Sequence, residues 1–272
     1  ETEKLNNSNY KRAAEYIENK WYTTAIELYK QLGDYRDSKD KAEQVQAAKQ
    51  EDMYNRAAEY MNEQQYAMAT ELYQQLGDYR DSKDKAEQAK EAKQEDMYNR
   101  AAEYMNEKQY VNAIPLYRQL SGYKDSDEKL ESIYNLAGEY VEGKQYDEAI
   151  ALYKKLDDYK EGVEKAEQTK AMKQEDMYNR AVECAENEEY GAAIELYRKL
   201  GDYKDSGEKL EGIYSLAGEY VENGEYDKAV ELYKQLGNYK DSAERAAAYE
   251  NQYTEAVSKR EAGEFDAAIA FF

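Results

Sequence analysis

The chain has 272 residues, with 38 Lys and Arg against 59 Asp and Glu, so its formal charge is −21 and it carries no histidine. Such a balance weighs against nucleic acid and anionic membrane surfaces, because nothing neutralises phosphate, and it suits basic partners or plain solubility. Without histidine, and with Cys184 alone as a thiol, His-based catalysis, zinc sites and internal disulfides are excluded.

Residues 1–9 are polar and lack an apolar rhythm, so they read as a lead-in or a frayed first turn. Tyr10 then opens a pattern that recurs from Tyr54, Tyr98, Tyr134, Tyr178, Tyr214 and Tyr253, at steps of 44, 44, 36, 44, 36 and 39 residues. Periods of this size belong to arrays of helical hairpins. In the second unit Met53, Ala57, Tyr60 and Met61 keep helical spacing, and after a polar turn Tyr66, Ala69, Tyr73 and Leu76 do the same. Each unit therefore predicts a helix A and a helix B, each with one apolar face.

Alanine recurs on helix A (Ala13, Ala57, Ala101, Ala137, Ala181, Ala217, Ala256) and on helix B (Ala25, Ala69, Ala113, Ala149, Ala193, Ala229, Ala268). A small residue there lets two helices approach closely while tyrosines fill the flanking space. Between units the run LGDYRDS predicts a helix stop with Gly33 or Gly77 in the left-handed conformation, a tyrosine folding back on the core, and Asp37 or Asp81 as the next N-cap. Asp125-x-x-Glu128, Asp205-x-x-Glu208 and Asp241-x-x-Glu244 come nearer a capping box. Long units carry eight extra residues, which predicts helices over Ser38–Asn62 and Ser82–Asn106 alternating with shorter ones. Pro115 predicts a slight bend in the third helix B. The fourth unit breaks the turn pattern with Leu156-Asp-Asp-Tyr-Lys-Glu-Gly162, and Cys184 takes a core-facing place that Tyr140 and Tyr220 hold elsewhere.

These residues resemble the tetratricopeptide (TPR) repeat. Ala137 and Tyr140 stand for the family's small residue and aromatic on helix A; Tyr146, Ala149 and Tyr153 stand for the turn aromatic, alanine and late aromatic of helix B. Leu156 departs from the family's alanine, and LGDYKDS replaces its closing proline, as in a variant found in bacterial multidomain proteins. The resemblance implies an all-α fold: a right-handed superhelical solenoid of about seven hairpins spanning 1–272 as a single domain, the last unit truncated. It also implies a non-enzymatic scaffold for protein or peptide partners, without cofactor or metal. The segment Gly138-x4-Gly143-Lys144 imitates a phosphate loop, but it has no preceding strand and no closing Ser or Thr.

By analogy with the family, one face of helix A lines the concave side. Tyrosines Tyr54, Tyr98, Tyr134, Tyr178 and Tyr214 would form a ladder there, flanked by Asn55, Asn99, Asn135 and Asn179 and by Glu51, Glu95, Glu131, Glu175 and Glu211. That lining predicts a neutral to basic peptide. Whether the rings face a ligand or pack against the next helix stays open at this point. A second class of function is also open, since near-identical blocks from Lys49 and Lys93 suit a spacer or a self-associating surface polymer. The chain starts ETEKL and ends on Phe265-Asp-Ala-Ala-Ile-Ala-Phe-Phe272. It thus reads as excised from something longer, with the last hairpin expected either to be covered, by further repeats or by another copy of the chain, or to be the most mobile part. No apolar run approaches a membrane span, and the compartment is left open, with a cell-surface or extracytoplasmic place preferred.

Overall fold

Burial of one apolar stripe per helix organises this computed structural model, which describes residues 2–263. Helix accounts for 82% of it, in thirteen α-helices and no strand among the described residues. The chain divides into two compact units, Glu1–Ile133 and Tyr134–Phe272. In the first lie α1 (Thr2–Glu18), α2 (Tyr22–Leu32), α3 (Ser38–Asn62), α4 (Tyr66–Leu76), α5 (Ser82–Asn106) and α6 (Tyr110–Gln119). Next, α7 (Ser126–Glu142) runs from one unit into the other. The second holds α8 (Tyr146–Leu156), α9 (Gly162–Glu186), α10 (Tyr190–Leu200), α11 (Ser206–Glu222), α12 (Tyr226–Leu236) and α13 (Ser242–Glu261). Within each unit consecutive helices pack as successive hairpins. The long helices fall where the eight-residue insert places them.

The alanines are the contact points. Ala13, Ala25, Ala57, Ala69, Ala101, Ala113, Ala181, Ala193, Ala217 and Ala229 are all 0% exposed. At that closeness a larger side chain would force the helices apart. Beside them the late tyrosines of helix B (Tyr29, Tyr73, Tyr117, Tyr197 and Tyr233) are also buried. Cys184 departs from the core reading in degree: it is half-buried and lies against the apolar cluster of the second unit. Helix α6 continues through Pro115 and stops one residue short of the leucine that ends the other B helices. The expected last hairpin, with Ala268, Ile269, Phe271 and Phe272, lies outside the described residues.

Two local readings need correction. Gly33 and Gly77 do take positive φ (58° each), but with ψ near −120° they sit outside the left-handed helical well. Asp37, Asp81, Asp205 and Asp241 occupy the N-cap position, yet none makes a side-chain capping bond. Their carboxylates are held by a tyrosine hydroxyl from the preceding helix A, a charge-assisted bond that outcompetes a neutral backbone donor. The serine after each aspartate turns inward instead, and Ser38, Ser206 and Ser242 donate to the carbonyls of Tyr35, Tyr203 and Tyr239.

The fourth inter-unit turn is built differently, as its sequence announces. Asp157 adopts the φ 56°, ψ −117° that glycine takes elsewhere, and Lys160 and Glu161 are left-handed. The chain then folds back so tightly that a Cβ on Gly162 would lie 2.6 Å from the Tyr153 carbonyl oxygen. Only glycine fits there.

Candidate functional site

The second, third, fifth and sixth repeats each gather a helix-A tyrosine, the following YRD or YKD run and the upstream glutamate into one cluster. In the second repeat the Tyr54 ring meets Tyr73 and Tyr79 edge-on, with centroids 5.6 and 6.2 Å apart. Its hydroxyl donates to Asp81 Oδ1 at 2.6 Å. Arg80, left-handed at φ 52°, swings its guanidinium to 5.1 Å from the Tyr54 ring and 5.2 Å from Tyr79. Glu51 closes the cluster by accepting from Tyr79 Oη at 2.8 Å and pairing with Arg80 at 2.5 Å.

The same construction recurs. Tyr98 donates to Asp125 at 2.5 Å, Tyr178 to Asp205, and Tyr214 to Asp241 at 2.5 Å. Lys124, Lys204 and Lys240 take the place of Arg80 over the rings and pair with Glu95, Glu175 and Glu211. Tyr134 keeps both edge contacts, to Tyr153 and Tyr159, with Lys160 5.5 Å from its ring.

The ionisable groups respond to this arrangement. Each hydrogen bond to an aspartate, helped by burial, pushes Tyr54, Tyr98, Tyr178 and Tyr214 up to about 12. The same bonds hold Asp81, Asp125, Asp205 and Asp241 below the usual carboxylate range. Glu51 is lowered first by the Tyr79 hydroxyl, and Glu95, Glu175 and Glu211 first by their lysines.

The structure gives each ladder tyrosine packing partners within its repeat and leaves it partly exposed. The five tyrosines are half-buried: one edge packs inward and the other stays open. Asn55, Asn99, Asn135 and Asn179 are exposed, and each lies one helical turn after the glutamate of its repeat. The acidic character expected of this face is reduced, because Glu51, Glu95, Glu175 and Glu211 are each paired with a cation. Sequence reasoning missed those cations and the aspartates as members of the cluster. The signal was present: the spacing of 27 from Tyr54 to Asp81 repeats from Tyr10 to Asp37, Tyr98 to Asp125, Tyr178 to Asp205 and Tyr214 to Asp241.

Nothing in the cluster is arranged for bond-making chemistry. Its carboxylates are pulled down and its tyrosines up, which is the reverse of what general acid–base work near neutral pH needs. Among the described residues there is no group of three or more metal-ligating side chains and no helix long and apolar enough to cross a membrane. The phosphate-loop look-alike lies on α7 and its turn into α8, with Lys144 in the left-handed turn.

The family model described as Tetratricopeptide repeat matches residues 210–242, which take in most of α11, all of α12 and the turn after it. The rest of the described chain repeats that hairpin. The chain is a TPR-like repeat protein. No curated protein matches it. The TPR family points to a scaffold for protein–protein interaction, and its all-helical fold is typically non-enzymatic.

Proposed function

We propose that this TPR-like protein is a non-enzymatic scaffold that holds an extended, neutral to basic peptide along the helix-A tyrosine face. The observation carrying the reading is the repetition of one half-open cluster, a tyrosine edge beside an exposed asparagine, at a fixed register from repeat to repeat. A tyrosine edge offers apolar area with a polar tip, and an asparagine amide can satisfy a peptide's backbone donor and acceptor together. Because the ladder glutamates are already paired, the preference for a basic ligand comes from the charge of −21 over the whole chain. A long-range field of that kind acts on association rate more than on residence time.

The test is a random peptide-display library panned against the protein. Neutral to basic extended sequences should be enriched, with salt slowing their association. Asn99→Arg with Asn179→Arg should abolish their capture, since both positions are exposed and the change blocks the face without touching the core. If nothing is enriched, or if the enriched peptides bind the double variant equally well, the reading fails. Concentration-dependent self-association without any peptide capture would instead favour the spacer or polymer reading.

A further inference from the structure

Away from the tyrosine face, the surface is hollowed where one helix B meets the next hairpin. In the second unit the concavity between α8, α9 and α10 measures about 610 Å³, and in the first the one between α2, α3 and α4 measures about 590 Å³. Equivalent positions line both. Met177 and Leu196 make a half-buried apolar floor in one, and Met53 and Leu72 make it in the other.

Two ion pairs cross the rim of the second-unit notch, Lys144 to Asp176 and Lys173 to Asp147, each at 2.5 Å. With those charges cancelled, Arg180 and Lys199 remain against a single exposed carboxylate, Glu148. Neither cation makes a salt bridge or side-chain hydrogen bond among the described residues. The cause lies in the sequence. Arg12 and Arg56, the equivalents of Arg180, are held by Tyr16 and Tyr60 one helical turn later, at 3.0 and 3.4 Å. In the fifth repeat that tyrosine is Cys184, which leaves the guanidinium uncapped. Lys199 likewise replaces the neutral Gln75 of the first-unit notch, while Asp147 and Glu148 replace Thr23 and Thr24. Both hollows keep more cations than carboxylates in a chain of net charge −21, four to three here and three to one in the first unit. In the first unit, though, Lys20, Lys49 and Arg56 all have partners, whereas Arg180 and Lys199 have none among the described residues.

We propose that the notch between α8, α9 and α10 is a second binding site, which takes an aspartate- or glutamate-rich segment of a protein partner. Arg180 offers a carboxylate two parallel N–H donors, and Lys199 adds a second charge. The methylenes of a glutamate lie over Met177 and Leu196. An inorganic phosphate suits the site less well, because it has no methylenes to cover the apolar floor of Met177 and Leu196.

The experiment titrates a short fluorescent oligoglutamate peptide into the full chain at low ionic strength. Saturable binding that weakens with added salt is expected. Arg180→Ala with Lys199→Ala should weaken it roughly tenfold or more, the effect of losing a charge-assisted contact. Cys184→Tyr should also weaken it, by restoring the hydroxyl that holds the guanidinium in the first and second repeats. Lys154→Ala, an exposed change on α8 outside the notch, should leave it unchanged, and all variants should keep wild-type helicity. Absence of saturable binding, or binding that survives the double variant, would overturn the proposal. So would displacement of the peptide by an equal concentration of inorganic phosphate.

Discussion

Raising the pH from 10 to 12 should unfold the helical hairpins. Five tyrosines, Tyr10, Tyr54, Tyr98, Tyr178 and Tyr214, have their pKa pushed from 10.0 to about 12, first by the hydrogen bond each donates to an aspartate. A pKa raised on folding gives stability that is complete below the unfolded value and is lost as pH climbs through the folded one. The loss therefore falls between pH 10 and about 12. Two effects then add in the same window. Each clasp loses its proton and becomes a tyrosinate facing a carboxylate. The net charge, already −21, moves further from zero. Tyrosinate absorbance and circular dichroism followed together should show a late group of tyrosines ionising as helix is lost. Helicity that stays constant through pH 12 would contradict the clasp. The acid side has the opposite sign. Asp37, Asp81, Asp125, Asp205 and Asp241 lie below the ordinary 3.8 in the folded chain, so their contribution persists above that value and fades only below it.

Tyr117→Ala should lower stability by about 3–5 kcal/mol, as expected when a large aromatic is removed from a packed core. Tyr117 is 0% exposed and lies edge-on to Tyr98, with Ala101 and Ala113 buried in the same hairpin. Tyr117→Phe should behave oppositely. Its hydroxyl is buried with no hydrogen-bonding protein atom, so removing the oxygen relieves a desolvated polar group at no cost in packing. The urea midpoint should hold or rise. Tyr98→Phe supplies the contrast, because that hydroxyl holds Asp125 at 2.5 Å and its loss should lower the midpoint. Three midpoints by circular dichroism decide the matter. If Tyr117→Phe destabilised as much as Tyr98→Phe, the division between core and clasp tyrosines would be wrong.

Much of the hairpin architecture can be read from local rules. Alanine spacing and apolar periodicity are properties of a single helix, so Ala57 and Ala69 mark the contact faces and the bounds Ser38–Asn62 and Ser82–Asn106 agree with the structure. The fourth turn is legible as a break in the pattern, but the backbone approach that only Gly162 allows depends on how the chain folds back onto Tyr153. The candidate site was legible as a set of positions and not as an electrostatic object. Asp81 suits an N-cap by every local rule. Only packing across 27 residues brings the Tyr54 hydroxyl to its carboxylate, and a charged acceptor then prefers that donor. In the same way Glu51 looks acidic along the chain. Arg80, in a left-handed turn, can neutralise it only once Tyr79 has folded back against Tyr54. Which residues form helices, how long those helices run and where they touch follow from periodicity and side-chain volume, which act within a few turns. Tertiary structure alone decided which charges are cancelled and which tyrosine edges stay open, because hydrogen bonds and ion pairs depend on distances that only the packed hairpins set.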